Sequence, residues 1–312
     1  MRKREFHVAV ILVNYNSSQY TVDCLQSILS QTNISLRYQV IVVDNNSREE
    51  EYRKLASIGE KKNVIICRNK LNLGFSGANM VGVERADADY YYFLNNDCLL
   101  LNDCLSLLHE FMESNPMAAN ASGEMFVTDG SYEYNFRYFP SLSLKLFGSG
   151  ILRLFHPEKY PSRHIRFTKP TQVDLVNGSS MFIRALPFEA IGGFDTRYFL
   201  YCEEEDIALR LNRAGHQTYI VPAAHYQHFV SKSSQPDGNI NLDFLKEFYI
   251  SFLYYFSKNY NAGYRFAIQW YYFFKIGRKF YKNWDYARLA FFIARGAPAK
   301  ESLRFKQKAS SE

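Results

Sequence analysis

The chain has 312 residues, 47% of them hydrophobic and 17% aromatic, with 24 Tyr and 26 Phe. That supply excludes a disordered chain and suits one α/β domain with an appended extension. The net charge of +6 is unevenly spread, because residues 241–312 hold 13 Lys/Arg against 5 Asp/Glu and the first 240 residues hold 24 against 26. A basic, aromatic tail on a near-neutral body points either to an anionic surface such as lipid or to a solvated helical face packed through its aromatics. Cys24, Cys67, Cys98, Cys104 and Cys202 form no CxxC pair, and MRKRE leads straight into a strand-like run without a secretory pattern. They read as reduced thiols in a cytoplasmic protein. No stretch reaches the roughly 18 uncharged apolar residues of a membrane span, so the chain is expected not to cross a bilayer.

In chain order, "HVAVILVNYN" (7–16) predicts a buried parallel strand. A helix follows, with Tyr20, Cys24, Leu25, Ile28 and Leu29 at helical spacing behind a Ser cap. "YQVIVVDNNS" (38–47) is a second strand, "SREEEYRKLASI" a polar helix and "NVIICRN" a third strand. "NLGFSGANMVG" (72–82) has the glycines and helix start of an anion-cradling loop, without the Walker lysine or the GxGxxG spacing. "YYYFLNND" (90–97) is a fourth strand, and "DCLSLLHEFMESNP" a helix stopped by Pro116. This alternation predicts a doubly wound, mixed but mainly parallel sheet. Its strand ends at Asn14-Tyr15, Asp44-Asn45-Asn46 and Asn95-Asn96-Asp97 would line one crevice.

Beyond residue 118, "ASGEMFV" and "TQVDLVNGSSMFIRA" predict strands, separated by a basic, aromatic insertion (137–170) expected to be partly helical and functional or mobile. "GGFDTRYFLYCEEEDIALRLNRAG" reads as loop then helix, "HQTYIVP" as a strand and "AAHYQHFVSKSS" as a polar loop holding His225 and His228. Helices resume from about 241. The domain reading is a body over 1–240, with halves at 1–115 and 116–240, and an extension over 241–312.

Taken alone, Asp44 reads as a turn residue. The triplet at 95–97 offers one ionised oxygen and two amide carbonyls, enough for a hard divalent cation, yet equally a turn before a helix cap at Asn102 or Asp103. "YCEEED" stacks four acids that repel one another unless a cation or burial compensates. Helical phase turns Glu204 toward the apolar side with Ile207 and Ala208, turns Glu205 away, and sets Asp206 beside its i+4 partner Arg210. An inward carboxylate at a cleft, its pKa raised by desolvation, suits a general base. The two histidines suit metal or phosphate contact, or the surface.

Together and in this order, "ILVNYNS", "VVDNNS", "NLGFSGANMVG", "YFLNND", "NGSSMFIRA", "GGFDTRYFLYCEEEDIALRL" and "HYQHFVSKSS" resemble the inverting A-type glycosyltransferases of family 2, in their rhamnosyltransferase-like branch. "RYFPSLSLKLF" is similar to that branch's variable segment. The resemblance covers residues 7 to about 234 and implies that 1–240 is a catalytic domain with a nucleotide-binding half and an acceptor half. It implies a dTDP- or UDP-linked donor, rhamnose foremost, and a glycan or lipid-linked acceptor in bacterial surface polysaccharide synthesis. The enzyme would be cytoplasmic or peripheral on the inner membrane face. By the same resemblance Asn14, Tyr15, Asn16, Asp44, Asn72, Gly77, Asn95 and Asn96 border the nucleotide sugar, Asp97 and His228 hold Mg²⁺ or Mn²⁺, and Glu204 is the base. The family's Asp-x-Asp signature falls on 95–97, with Asn95 in place of the first Asp. A sugar-nucleotide pyrophosphorylase is the first rival, but "VNYNSSQY" has neither the glycines nor the basic residues of its phosphate loop. A non-catalytic carbohydrate- or membrane-binding relative, the second, would need no inward carboxylate.

Overall fold

Val8 to Leu12 are completely buried without alternation, as a strand must be when both faces of its sheet are covered. In the computed structural model this run is β1 (Phe6–Asn14), followed by α1 (Ser18–Gln31), β2 (Tyr38–Asp44), α2 (Glu49–Ala56), β3 (Val64–Arg68), α3 (Gly74–Glu84) and β4 (Ala88–Leu94). The structure describes residues 4–56, 58, 63–163, 165–229 and 241–307. Strands β2 and β4 flank β1 and β3 lies outside β2, all parallel. Their register sets Asn14 beside Asp44 and Asp44 beside Arg68. The polar strand ends are therefore level, where the chain turns from β1 to β2 on one side and β4 on the other, the position at which such sheets bind ligands.

Next come β5 (Cys98–Leu100), α4 (Cys104–Ser114), β6 (Ala118–Phe126), β7 (Tyr132–Glu133), β8 (Phe136–Arg137) and α5 (Leu142–Phe155). They are followed by β9 (Thr171–Val173), β10 (Leu175–Val176), β11 (Ser180–Arg184), α6 (Ala185–Ala190), α7 (Glu203–Arg213) and β12 (Gln217–His228). The sheet runs β3-β2-β1-β4-β11-β6-β12-β5, with β11 antiparallel to both neighbours and β12 parallel to β6. This is the mixed, mainly parallel sheet expected from the sequence.

One boundary differs. Residues 223–228, expected in a loop, continue β12, which pairs with β6 and antiparallel with β5. The register shifts between Ile220 and His225, and Pro222 falls inside that irregularity, where its missing N–H leaves no ladder position empty. Residues 230–234 of the same stretch lie outside the described residues. The insertion is partly helical, as expected: α5 is kinked at Gly148 (φ 73°) and buries none of its residues. Leu146, Phe147, Ile151, Leu154 and Phe155 are all more than half exposed.

The chain divides into two compact units. The first contains the sheet: residues up to Asn72, Gly77–Asp195, and Glu204 onward through β12. The second joins Leu73–Ser76 and Thr196–Glu203 to the described residues from Asn241. It holds α8 (Leu242–Asn259), α9 (Ala262–Gly277) and α10 (Trp284–Ala294). Each helix is capped by an asparagine, whose side-chain oxygen accepts a backbone N–H from Phe244, Tyr264 or Asp285. Its core is aromatic: Phe252 meets Phe256 at 5.0 Å and Tyr272 at 5.1 Å, both edge-on. Among the described residues, no helix is long and apolar enough to cross a membrane.

Within the second unit, Gly74 has φ +73°, and a Cβ there would lie 2.2 Å from the Phe199 carbonyl oxygen, which accepts the Phe75 N–H at 2.8 Å. Gly130 in the first unit has a similar φ of +79° and open space around it. Gly74→Ala is expected to cost roughly 2 kcal/mol or more, and Gly130→Ala only the backbone strain of roughly 1 kcal/mol. Urea unfolding measures both, and equal losses would mean that the Phe199 contact contributes nothing.

Candidate active site

The level strand ends form a hydrogen-bonded knot. Asn14 Nδ2 donates to Asp44 Oδ1 at 2.8 Å and to Ser47 Oγ at 3.0 Å. Asp44 Oδ2 accepts the Ser47 N–H at 3.1 Å and lies 3.4 Å from Arg68 Nε. Asn14 and Asp44 expose no surface, whereas Tyr15 is 49% exposed. Asn16 adopts φ 53°, and its Oδ1 accepts the Arg48 N–H. Asn45 donates to Asn72 and accepts from Asn69, so an amide chain borders the same end. Gly77 is buried in the first turns of α3.

The triplet 95–97 lies just past β4. The Cys98 N–H donates to the Asn95 carbonyl, closing a turn, and Asp103 separately caps α4 through the Ser106 N–H. Asn96 Nδ2 donates to Ser17 Oγ and Thr21 Oγ1, each at 2.8 Å. The turn therefore leaves Asp97 to another partner: its Oδ1 lies 3.2 Å from His228 Nε2. The antiparallel pairing of β12 with β5, His228 opposite Cys98, makes that contact. Turn and ligand geometry coexist.

Asp97, Cys98 and His228 bring their ligand atoms within 4.8 Å of one another. Cys98 is fully buried, its pKa is pushed well up by burial and then by Asp97, and its Sγ points to the Ser179 carbonyl. A protonated thiol is a poor ligand. The remaining carboxylate and imidazole fit a hard divalent cation, since ligand atoms about 2.1 Å from an octahedral ion sit roughly 3 Å apart. His228 Nδ1 is buried without a hydrogen-bond partner among the described residues. His225, three residues earlier, is elsewhere, 3.6 Å from Glu124.

At the start of α7, Asp206 is clasped by Arg210 through Nε at 2.8 Å and Nη2 at 2.7 Å, the pair expected from i,i+4 spacing. The next result differs from expectation. Glu205, expected to turn away, is buried, and burial followed by the charge of Glu204 pushes its pKa up to about 7. Arg137 Nη2 hydrogen-bonds Glu204 Oε1, and Arg137 Nη1 donates to Glu205 Oε1 at 2.9 Å. Helical phase fixes where a Cβ points, and β8 covers both carboxylates with one guanidinium. Glu204 also lies beside Gly178, its Oε1 within 3.4 Å of where a Cβ would stand.

Arg137 was missed by the sequence reading. The period-two aromatics of "YEYNFRY" (132–138) are a strand signal that sets Arg137 on the face opposite those rings. Tyr201 and Cys202, just before α7, have φ of 71° and 65°, a left-handed pair of non-glycine residues and a local backbone strain.

The mixed, mainly parallel sheet with its level strand ends is of the A-type glycosyltransferase class. The chain belongs to glycosyl transferase family 2, whose profile matches residues 9–191, more than half of it. It is 30% identical over 210 residues to rhamnosyltransferase WbbL of Escherichia coli K12, covering 60% of this chain and 77% of that protein. It is 26% identical over 243 residues to the N-acetylglucosaminyl-diphospho-decaprenol L-rhamnosyltransferase of Mycobacterium tuberculosis H37Rv, covering 73% and 78%. Among solved structures, GalNAc-T7 with UDP, GalNAc and Mn²⁺ aligns with a TM-score of 0.64 and 13% identity, over 94% of this chain and 58% of that one. The mannosyltransferase PcManGT of Pyrobaculum calidifontis with GDP-Man and Mn²⁺ gives 0.54 and 16%, over 81% and 64%. At such identities the likeness is one of fold.

Glu205 carries a testable pH signature. Its folded pKa of about 7 lies above the ordinary 4.5, so the folded state holds the proton longer than the unfolded chain. Its contribution to stability is complete below about pH 4.5 and is lost as pH rises through about 7. Glu205→Gln, which mimics the protonated form, is expected to flatten that fall and to be the more stable protein above pH 7. Thermal melts of both proteins from pH 5 to 8 check it, and parallel curves would refute the assignment.

Proposed function

We propose that this family 2 enzyme moves a sugar, rhamnose or a close relative, from a dTDP- or UDP-linked donor to a hydroxyl of a glycan or lipid-linked acceptor in bacterial surface polysaccharide synthesis. The Asp97–His228 pair at 3.2 Å, beyond the strand ends, carries this reading. Two relatives named as rhamnosyltransferases favour the sugar, and the decaprenol-linked substrate in one name favours a lipid-linked acceptor.

Asp97 and His228 would hold Mg²⁺ or Mn²⁺, which supplies Lewis-acid neutralisation of the departing diphosphate when bound. Asp44, Tyr15 and the asparagines at 14, 16, 72, 95 and 96, with Gly77 in α3, are the residues proposed to border the nucleotide. Glu204 accepts the acceptor hydroxyl's proton as that oxygen bonds to the anomeric carbon and the bond to the diphosphate breaks. Attack from the opposite face inverts the configuration. Glu205, its pKa pushed up to about 7 by burial and then by Glu204, shares Arg137 with that base.

Asp97→Ala is expected to abolish the metal dependence of nucleoside diphosphate binding in a folded protein, and His228→Ala to weaken it. Calorimetric titration with and without Mn²⁺ reads both, and an unchanged metal dependence in the Asp97 variant removes it from the metal shell. Glu204→Gln should lower the transfer rate by roughly 10² or more with donor affinity nearly intact. If Glu205→Gln is the inactive variant and Glu204→Gln transfers normally, the base is Glu205.

The helical extension is proposed to meet anionic lipid. Lys275, Arg278 and Lys282 are exposed there, among Phe274, Tyr281 and Trp284 at 64–74% exposure. Each basic residue near a charged leaflet adds about 1 kcal/mol. Co-sedimentation with anionic liposomes should fall with added salt and with charge reversal at Lys275, Arg278, Lys279 and Lys282. Binding that ignores salt, or none, returns this face to packing.

A further inference from the structure

Within the second unit alone, Arg197, Arg265 and Arg304 line a cavity of about 420 Å³ that has no carboxylate among its lining residues. Nearby acids are engaged elsewhere. Glu301 pairs with Lys246 and Arg295, Asp243 with Lys306, and Glu247 accepts the Leu303 N–H. Arg304 donates to the Thr196 carbonyl, and the Arg197 guanidinium stacks over Tyr254 at 4.9 Å. Arg265 differs, because its Nε is buried and has no hydrogen-bond partner among the described residues.

A guanidinium is always charged, so three of them lining one cavity without a carboxylate leave a surplus of positive charge there that an anion would balance. Gly296 (φ +82°) lines the same cavity, next to the Arg265 guanidinium. The cavity is larger than one phosphate needs and is of the size that takes a small organic ligand. Ile250 and Leu253 supply apolar wall, and the Phe305 ring at the same cavity is 67% exposed.

We infer that this cavity binds the phosphate of an amphiphile: a phosphate or diphosphate ester whose charged group meets Arg265 and its two neighbouring arginines while its chain lies along Ile250, Leu253 and Phe305. The inference goes beyond glycosyl transfer and does not depend on it. Planar guanidinium forks match phosphate oxygens, and three of them around one pocket select for charge more than for head-group identity.

Calorimetric titration of the full chain with octyl phosphate, inorganic phosphate and octanol tests it. Octyl phosphate is expected to bind at least about tenfold more tightly than either of the others. Arg265→Gln should lose at least about tenfold for octyl phosphate, and Arg265→Lys, which keeps the charge without the fork, should lose less. Metal-dependent nucleotide binding should be unchanged in both, so a failure here is separable from failure of the transferase reading. Octanol binding as tightly as octyl phosphate overturns the anion site. Equal affinity for inorganic phosphate overturns the amphiphile, and undiminished affinity in a folded Arg265→Gln protein overturns the role of Arg265. Should neither variant fold, the ranking of the three probes on the parent chain decides.

Discussion

Asp44 keeps a carboxylate with no exposed surface at the end of β2, and an unpaired charge there would cost several kcal/mol. Its compensation comes from three directions: Asn14 on β1, the Ser47 N–H in the following turn and the Arg68 side chain on β3. A slip of one residue in either parallel pairing would remove a partner and turn the side chain to the other face. The knot also extends outward. Asn14 Oδ1 accepts from Thr21, and Thr21 accepts from Asn96. A continuous chain of hydrogen bonds thus runs from the fixed strand ends to the residue preceding Asp97, which orients the turn that carries Asp97.

Charge at the start of α7 is balanced differently. Asp206 has Arg210 to itself, and Arg210 spends its remaining donors on the Ile191 and Gly193 carbonyls. Glu204 and Glu205 share the single guanidinium of Arg137. One buried and one partly buried carboxylate against one cation leave a negative charge uncompensated, and a proton on one of them is the least costly remedy. Burial and then the charge of Glu204 place that burden on Glu205, the more buried of the two.

The parallel half of the sheet was legible because β1 and β2 are uninterrupted apolar runs ending in amides and acids, and such runs have one stable placement. The Asp206–Arg210 pair was legible because it is local. What stayed hidden is non-local. Asp97 and His228 are far apart in sequence and meet only because β12 pairs with β5, so only the resemblance to family 2 linked them. The extension of β12 past Pro222 was masked because proline usually ends a strand, and a register irregularity made it harmless. Glu205 was misplaced because periodicity assigns one buried side to a helix, whereas its first turn is covered by β8 as well.

The aromatic excess has a structural account in the second unit, where α8, α9 and α10 pack together and Tyr249 and Phe252 of α8 meet Tyr272 of α9 edge to face. Rings bury more area per residue than aliphatic chains and lose little rotamer freedom, so a few helical turns can make a core from them. The same helices leave Phe266, Phe274, Trp284 and Phe291 more than 60% exposed. Packing does not require rings on both sides of a helix, and exposed apolar area of this extent has a desolvation advantage only against another surface. With thirteen basic residues in the same segment, the lipid leaflet proposed above, apolar beneath and anionic at its surface, would answer both features at once.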